Sequence, residues 1–171
     1  MESINHPHTS PIPTAFFSLV NNPVKFRLFL LTKLPAAYFA GLKVHSLSPE
    51  ACTVTVPLKW FTQNPFRSIY FACLSMAAEL STGVLAMASI YGQKPAVSML
   101  VTGLEAKFYK KAVEKITFTC KDGQAIEEAV ALAKATGEGQ TVTVHSSGQN
   151  KLGETVAEFH FTWSFKAKRN T

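Results

Sequence analysis

The chain has 171 residues, 47% of them hydrophobic, which is enough for one domain with its own core and no staple of disulfides or metal. Seventeen Lys and Arg against eleven Asp and Glu leave a formal charge of +6, too small and too scattered for a nucleic-acid footprint but suited to an anionic, phosphate-bearing ligand. The three cysteines, Cys52, Cys73 and Cys120, make no CxxC spacing and leave an odd thiol, which points to a reducing, cytoplasmic setting and away from zinc or redox chemistry.

Residues Met1 to Thr14, with Pro7, Pro11 and Pro13, read as a flexible arm ahead of one domain spanning 15–171. Phe16 to Leu34 is apolar, carries Lys25, Arg27 and Lys33, and predicts an extra N-terminal helix, with Asn21-Asn22-Pro23 as its start signal. The apolar run from Phe26 to Ala40 is broken by Arg27, Lys33 and Pro35 and begins too far from Met1 for a signal peptide. Gly41 to Ser48 and Ala51 to Trp60 are β-rich runs joined by Ser48-Pro49-Glu50, which predicts a hairpin.

Thr62 to Phe66, containing Asn64-Pro65, is a loop, and the apolar stretch Ser68 to Tyr91 after it predicts a long helix that Gly92 stops. That stretch is long enough to span a membrane, but a central carboxylate, Glu79, would be costly in lipid, and the strand-rich remainder predicts a buried core helix instead. Ala96 to Tyr109 and Glu114 to Lys121 are the next strands, Gly123 to Thr136 is an amphipathic helix ending at Gly137, and Gln140 to His145 and Glu154 to Lys166 are the last strands. The final strand alternates Ala157, Phe159, Phe161, Trp163 and Phe165 with polar residues.

Glu79 is the strongest chemical signal, because a carboxylate in the middle of an apolar helix costs several kcal/mol unless it is paired or faces a cavity. It is either a general base or nucleophile with a raised pKa or one half of a structural ion pair with a Lys or Arg from a strand or from a partner subunit. Helical spacing puts Ser75, Met76, Thr82 and Gly83 on its face, so Ser75 and Thr82 are candidate hydrogen-bond partners, with back-bonding to helix carbonyls as their ordinary role. Asn64 is a candidate for orienting water or the substrate carbonyl, and equally a turn residue. His45, His145 and His160 lie on separate strands, which predicts no metal site. No GxGxxG, Walker loop or Gly-x-Ser-x-Gly occurs, which removes the usual nucleotide and serine-hydrolase readings.

The run from Asn64 to Glu79 resembles the signature of phenylacetyl-CoA-thioesterase-like proteins of the hotdog-fold superfamily, in which an Asn stands six residues before a His-Gly-Gly helix start and an acid nine residues after the His. Asn64, Tyr70 and Glu79 keep both intervals. Pro95-Ala96-Val97-Ser98-Met99 is similar to the Pro-Gly-Val-Ser strand start of some of those thioesterases, in which the Ser assists from the neighbouring subunit, and Ser98 holds that place. The resemblance implies an α+β hotdog fold, an antiparallel sheet of about six strands wrapped around the long helix. It also implies catalytic Glu79, Asn64 and Ser98, with backbone N–H groups of Phe71 and Ala72 holding the thioester oxyanion. Tyr70, Ser75 and Thr82 would line the substrate site, and Lys107, Lys110 and Lys111 would meet coenzyme A phosphates, with edge-strand protection as their alternative role.

One departure stands out: Tyr70-Phe71-Ala72 replaces His-Gly-Gly. A backbone donor survives such a change, whereas a bulky Phe71 in place of Gly would narrow the approach or constrain the backbone. Two functions therefore stay open, an acyl-CoA thioesterase using a helix carboxylate and water, and a non-catalytic acyl-binding module. The expected partners are an acyl thioester and a second copy of the chain in a homodimer, with a dimer of dimers as the next assembly. No cofactor is expected beyond the coenzyme A of the substrate, and no membrane span.

Overall fold

The computed structural model describes residues 11–168. Most of the expected N-terminal arm, residues 1–10, lies outside the described residues, and Pro11 to Pro13 lead directly into the first helix. In place of one N-terminal helix there are three: α1 (Thr14–Asn21), α2 (Pro23–Lys33) and α3 (Pro35–Ala40). The division follows local chemistry. The Asn22 side chain accepts from the Val24 and Lys25 N–H groups at 3.1 and 3.0 Å and caps α2, with Pro23 preset for its first turn. Pro35 forces Leu34 out of helical geometry and starts α3, and Gly41, at φ 78°, closes it in a left-handed conformation that favours glycine.

Strands β1 (Lys43–Leu47) and β2 (Cys52–Val56) form the expected hairpin, followed by a short turn of 3-10 helix at Trp60–Thr62 and the long helix α4 (Phe71–Ile90). Then come β3 (Val97–Phe108), β4 (Ile116–Cys120), α5 (Gly123–Thr136), β5 (Gln140–Gln149) and β6 (Thr155–Ala167). All pairings are antiparallel, in the order β1-β2-β4-β5-β6-β3, so β1 and β3 are the two edges. The strand β5 runs four residues beyond its expected end, because Ser146 to Gln149, polar and poor in strand propensity, is laddered between β4 and β6. The helix α4 begins at Phe71, not Ser68: Ile69 donates its N–H to the Ala112 carbonyl and Tyr70 to that of Thr62, so these residues are tied to the sheet side before the helix turns.

One face of the sheet wraps α4. Val54 and Val56 of β2, Ile116 and Phe118 of β4, and Phe159, Trp163 and Phe165 of β6 are buried, as are Leu74, Ala77, Ala78, Leu80, Val84 and Leu85 of the helix. Ala77, Ala78, Ser81 and Gly83 keep the helix surface low, so the strands can approach closely. Two polar contacts pin the register: Ser81 Oγ meets Ser146 Oγ at 2.8 Å, and Trp163 Nε1 donates to Thr82 Oγ1 at 3.0 Å. Among the described residues no buried side-chain polar atom lacks a partner, so these hydroxyls add fit without a desolvation penalty.

The fully buried Phe118 ring beds on Gly148, where a Cβ would stand only 2.4 Å from Phe118 Cε1. Gly148→Ala is therefore expected to lose at least about 1–3 kcal/mol in urea unfolding through overpacking. An unchanged unfolding midpoint would mean that β5 is free to shift away from β4.

Candidate active site

Two of the cavities along α4 between them take in most of the residues singled out from the sequence. The first, about 360 Å³, lies at the helix start and is lined by Asn64, Tyr70, Phe71, Leu74, Phe108, Lys110 and Lys111 among others. Its floor depends on a closed loop. Asn64 Oδ1 accepts from the Phe66 N–H at 2.9 Å and the Ser68 N–H at 3.3 Å, and its backbone N–H donates to the Ser68 carbonyl at 2.8 Å. Arg67, at φ 59°, takes the left-handed position of this turn. Asn64 thus works as a turn residue whose side-chain oxygen is already engaged, and its part in the cavity is to shape the wall.

At the helix start, Cys73 and Leu74 donate back to the Tyr70 carbonyl, while the Phe71 and Ala72 N–H groups have no acceptor among the described residues. These are the two donors expected for an oxyanion, and the positive end of the helix dipole strengthens them. Phe71 has no positive φ, so loss of the glycine costs no backbone strain here. Its ring, 57% exposed, packs edge-on against Tyr70 at 4.8 Å and Phe108 at 6.5 Å, and forms the cavity mouth. Phe108 continues the aromatic contact to Phe159 in the core. Sequence reading did not single out Phe108, since only the β3–β6 register brings it to α4.

The second cavity, about 210 Å³, is lined by Lys33, Leu34, Pro35, Ala36 and Ala37 and by Met76, Glu79 and Leu80 of α4. The corner between α2 and α3 thus roofs the carboxylate. One Glu79 oxygen lies where Gly83 lacks a side chain, 3.0 Å from the position a Cβ would take, so the glycine one turn on makes its room. Burial alone pushes the Glu79 carboxyl above its ordinary range, and no cation is close enough to pull it back. Lys33 lines the cavity without pairing with it. Among the described residues of this chain no Lys or Arg pairs with Glu79, so an ion pair on it would need a cation from a second copy.

The remaining candidates are distributed differently. Thr82 does not hydrogen-bond the Glu79 carboxylate: its hydroxyl donates to the Glu79 main-chain carbonyl at 2.9 Å and accepts from the Trp163 indole, because the carboxylate leans toward Gly83 instead. Ser75 is half-buried on α4 and makes no side-chain hydrogen bond among the described residues. Ser98 donates to the Lys166 carbonyl at 3.1 Å on the open edge of the sheet and reaches neither cavity. Lys107 lies outside the helix-start cavity beside Glu105 at 4.0 Å, and Lys110 pairs with Glu154 at its rim, leaving Lys111 as the lining cation without an ion pair. Among the described residues no three His, Cys, Asp or Glu side chains gather as a metal site.

The raised pKa of Glu79 has a definite consequence for stability. A carboxyl whose folded-state pKa exceeds its unfolded value contributes stability below the ordinary carboxylate range and loses it as pH rises through the raised value. Glu79→Gln should therefore be at least as stable as the native chain near about pH 8, with the gain shrinking as pH falls toward about 4. A loss of about 3–5 kcal/mol in urea unfolding at about pH 8 would instead reveal a stranded cationic partner.

Residues 24–165 match the family model described as a domain of unknown function, DUF4442. No curated protein matches the chain. Among solved structures, the fold is similar to that of a Pseudomonas aeruginosa protein of unknown function described as a probable thioesterase, at TM-score 0.73 and 20% identity over 88% of this chain and 99% of that one. It is also similar to a Chlorobaculum tepidum protein of unknown function, at TM-score 0.72 and 16% identity over 89% of this chain and 99% of that one. A thioesterase from Haemophilus influenzae superposes with TM-score 0.60 and 13% identity, over 82% of this chain and 88% of that one. Sheet order, central helix and these likenesses agree: the chain belongs to the DUF4442 family and has the thioesterase-like hotdog fold.

Proposed function

We propose that the protein hydrolyses acyl thioesters, with acyl-CoA as the substrate class, and that it works as a homodimer. The observation that carries the reading is Glu79, a half-buried carboxylate without a counter-charge, facing a cavity on the same helix whose first N–H groups are unengaged. In the proposed reaction, Glu79 takes a proton from water, the water oxygen bonds to the thioester carbonyl carbon, and the Phe71 and Ala72 N–H groups hold the developing oxyanion. The C–S bond then breaks, the proton passes from Glu79 to the departing sulfur, and a carboxylic acid and a thiol leave. Lys110 and Lys111 at the rim suit the phosphates of coenzyme A.

Eight residues of helix separate Phe71 from Glu79, about 12 Å of axial rise, so one thioester cannot meet both within one chain. A second copy resolves this if the carboxylate of each copy serves the donors of the other. The edge strand β3 supports such pairing. It bonds to β6 on one side only, and Leu104 and Phe108 share the helix-facing side with Phe161 and Ala157 yet are 55% and 50% exposed. Ser98, on that same open edge, would then lie near the second copy.

Turnover of a panel of acyl-CoA thioesters, followed by thiol release, tests the activity directly. Glu79→Gln should lower kcat at least ~100-fold while remaining folded, and the native rate should rise with pH through the elevated Glu79 pKa. Lys110→Ala with Lys111→Ala should raise KM for acyl-CoA most at low salt. Absence of turnover in the native chain combined with tight acyl-CoA binding would favour the acyl-binding reading, to which the Tyr70 and Phe71 rings at the cavity mouth lend support.

Dimerisation gives a separate expectation. Leu104→Glu, on the exposed strip of the edge strand, should turn a dimer into monomers in light scattering at micromolar concentration. A native chain that is already monomeric there would remove the shared-site scheme.

A further inference from the structure

Charge is divided unevenly along this chain. Residues 11–78 hold six Lys and Arg and a single acid, Glu50, whereas residues 79–171 hold eleven against nine. The basic part folds into the corner made by α2, α3, β1 and the Trp60–Thr62 turn. There, a cavity of about 510 Å³, separate from the helix-start cavity and from the Glu79 cavity, is lined by Arg27, Lys43 and Lys59 together with Val20, Phe26 and Leu42, and by no carboxylate. The three cations have no ion pair among the described residues. Two are held in place: the Arg27 guanidinium stacks 3.9 Å over the Tyr38 ring, and the Lys59 ammonium folds across Gly41, 2.8 Å from where a Cβ would stand.

The elements that carry these cations also expose apolar side chains. Helix α2 buries Phe26 and Leu30, yet it also turns Val24, Leu28 and Leu31 outward at i, i+4 and i+7, a second stripe on the opposite side. Arg27 borders that stripe, with Val24 at i−3 and Leu31 at i+4, and Lys25 borders its other flank. Next to Lys59, Trp60 is 85% exposed, and Phe39 and Phe61 lie beside each other at 6.3 Å, both half out of the protein. An exposed apolar stripe flanked by cations, together with an exposed indole next to Lys59, matches the chemistry of a bilayer interface with anionic headgroups.

We propose that this corner docks the protein on an anionic phospholipid surface, with a headgroup phosphate among Arg27, Lys43 and Lys59 and with Val24, Leu28, Leu31 and Trp60 entering the interface. The docking is peripheral and does not depend on thioester hydrolysis. The chain's two tryptophans give it a clean readout, since Trp163 is buried and Trp60 is not.

The full chain would be sedimented with vesicles of phosphatidylcholine alone and of phosphatidylcholine with about one third phosphatidylglycerol, at low and at physiological salt. Binding to the anionic vesicles only, weakened by salt and accompanied by a blue shift of tryptophan emission that Trp60→Phe abolishes, is the expected result. Arg27→Gln, Lys43→Gln and Lys59→Gln together should weaken binding on the order of 100-fold, about fivefold per cation. Val24→Ser with Leu28→Gln and Leu31→Gln should also weaken it, and because these side chains are exposed the unfolding curve should not move. Equal partitioning onto neutral and anionic vesicles, or none on either at low salt, would overturn the proposal. So would an apolar-stripe variant that changes the oligomeric state in light scattering while the native chain ignores vesicles, which would make the corner an interface between copies.

Discussion

A twenty-residue helix with almost no charge has to be covered on nearly every side, and the rest of this molecule is arranged to do that. The helix α4 is too apolar to stand against water, and the inner faces of β2, β4 and β6 are equally unable to remain bare. Each supplies the surface that the other needs. Small residues at Ala77, Ala78, Ser81 and Gly83 let the strands close on the helix, and the Ser81–Ser146 and Trp163–Thr82 contacts set where along its length they do so. Helix α5 then covers the other side with Ile126, Val130 and Ala133.

That covering fails in two places, and both bear on chemistry. At the helix start, the chain arrives along the Gln63–Ile69 bridge and turns into α4 without a side-chain cap, which leaves the Phe71 and Ala72 N–H groups available. Two turns on, Glu79 sits under the α2–α3 corner with no cation among the described residues to neutralise it. A stable protein would ordinarily replace such a carboxylate by an apolar residue of similar size, because unpaired burial only subtracts from stability. Its burial raises the pKa of the carboxyl, the direction that a group exchanging protons with a ligand would use.

Tyr70-Phe71-Ala72, standing where the resembled signature has His-Gly-Gly, shapes the entrance and leaves the backbone donors in place. The Phe71 ring turns out toward Tyr70 and Phe108, so the aromatic residues form a rim. The cationic edge at Lys110 and Lys111 lies on the same cavity.

Much of this was legible in the residues themselves. The alternation of β6, the turn at Ser48-Pro49-Glu50, the uninterrupted apolar run of α4 and the isolation of Glu79 within it are local patterns, and local patterns dictate local structure and mark an anomalous charge. What the sequence could not decide depends on contacts between distant segments. Ser146 to Gln149 becomes strand only because β4 and β6 flank it, and Thr82 turns from a candidate partner of the carboxylate into a support for Trp163 once β6 crosses α4. Asn64 and Ser98 fit a spacing equally well, yet one lines the helix-start cavity and the other lies on a sheet edge. Whether Glu79 has a counter-charge was open in the sequence for the same reason: only the fold determines that none of the described cations is brought to it.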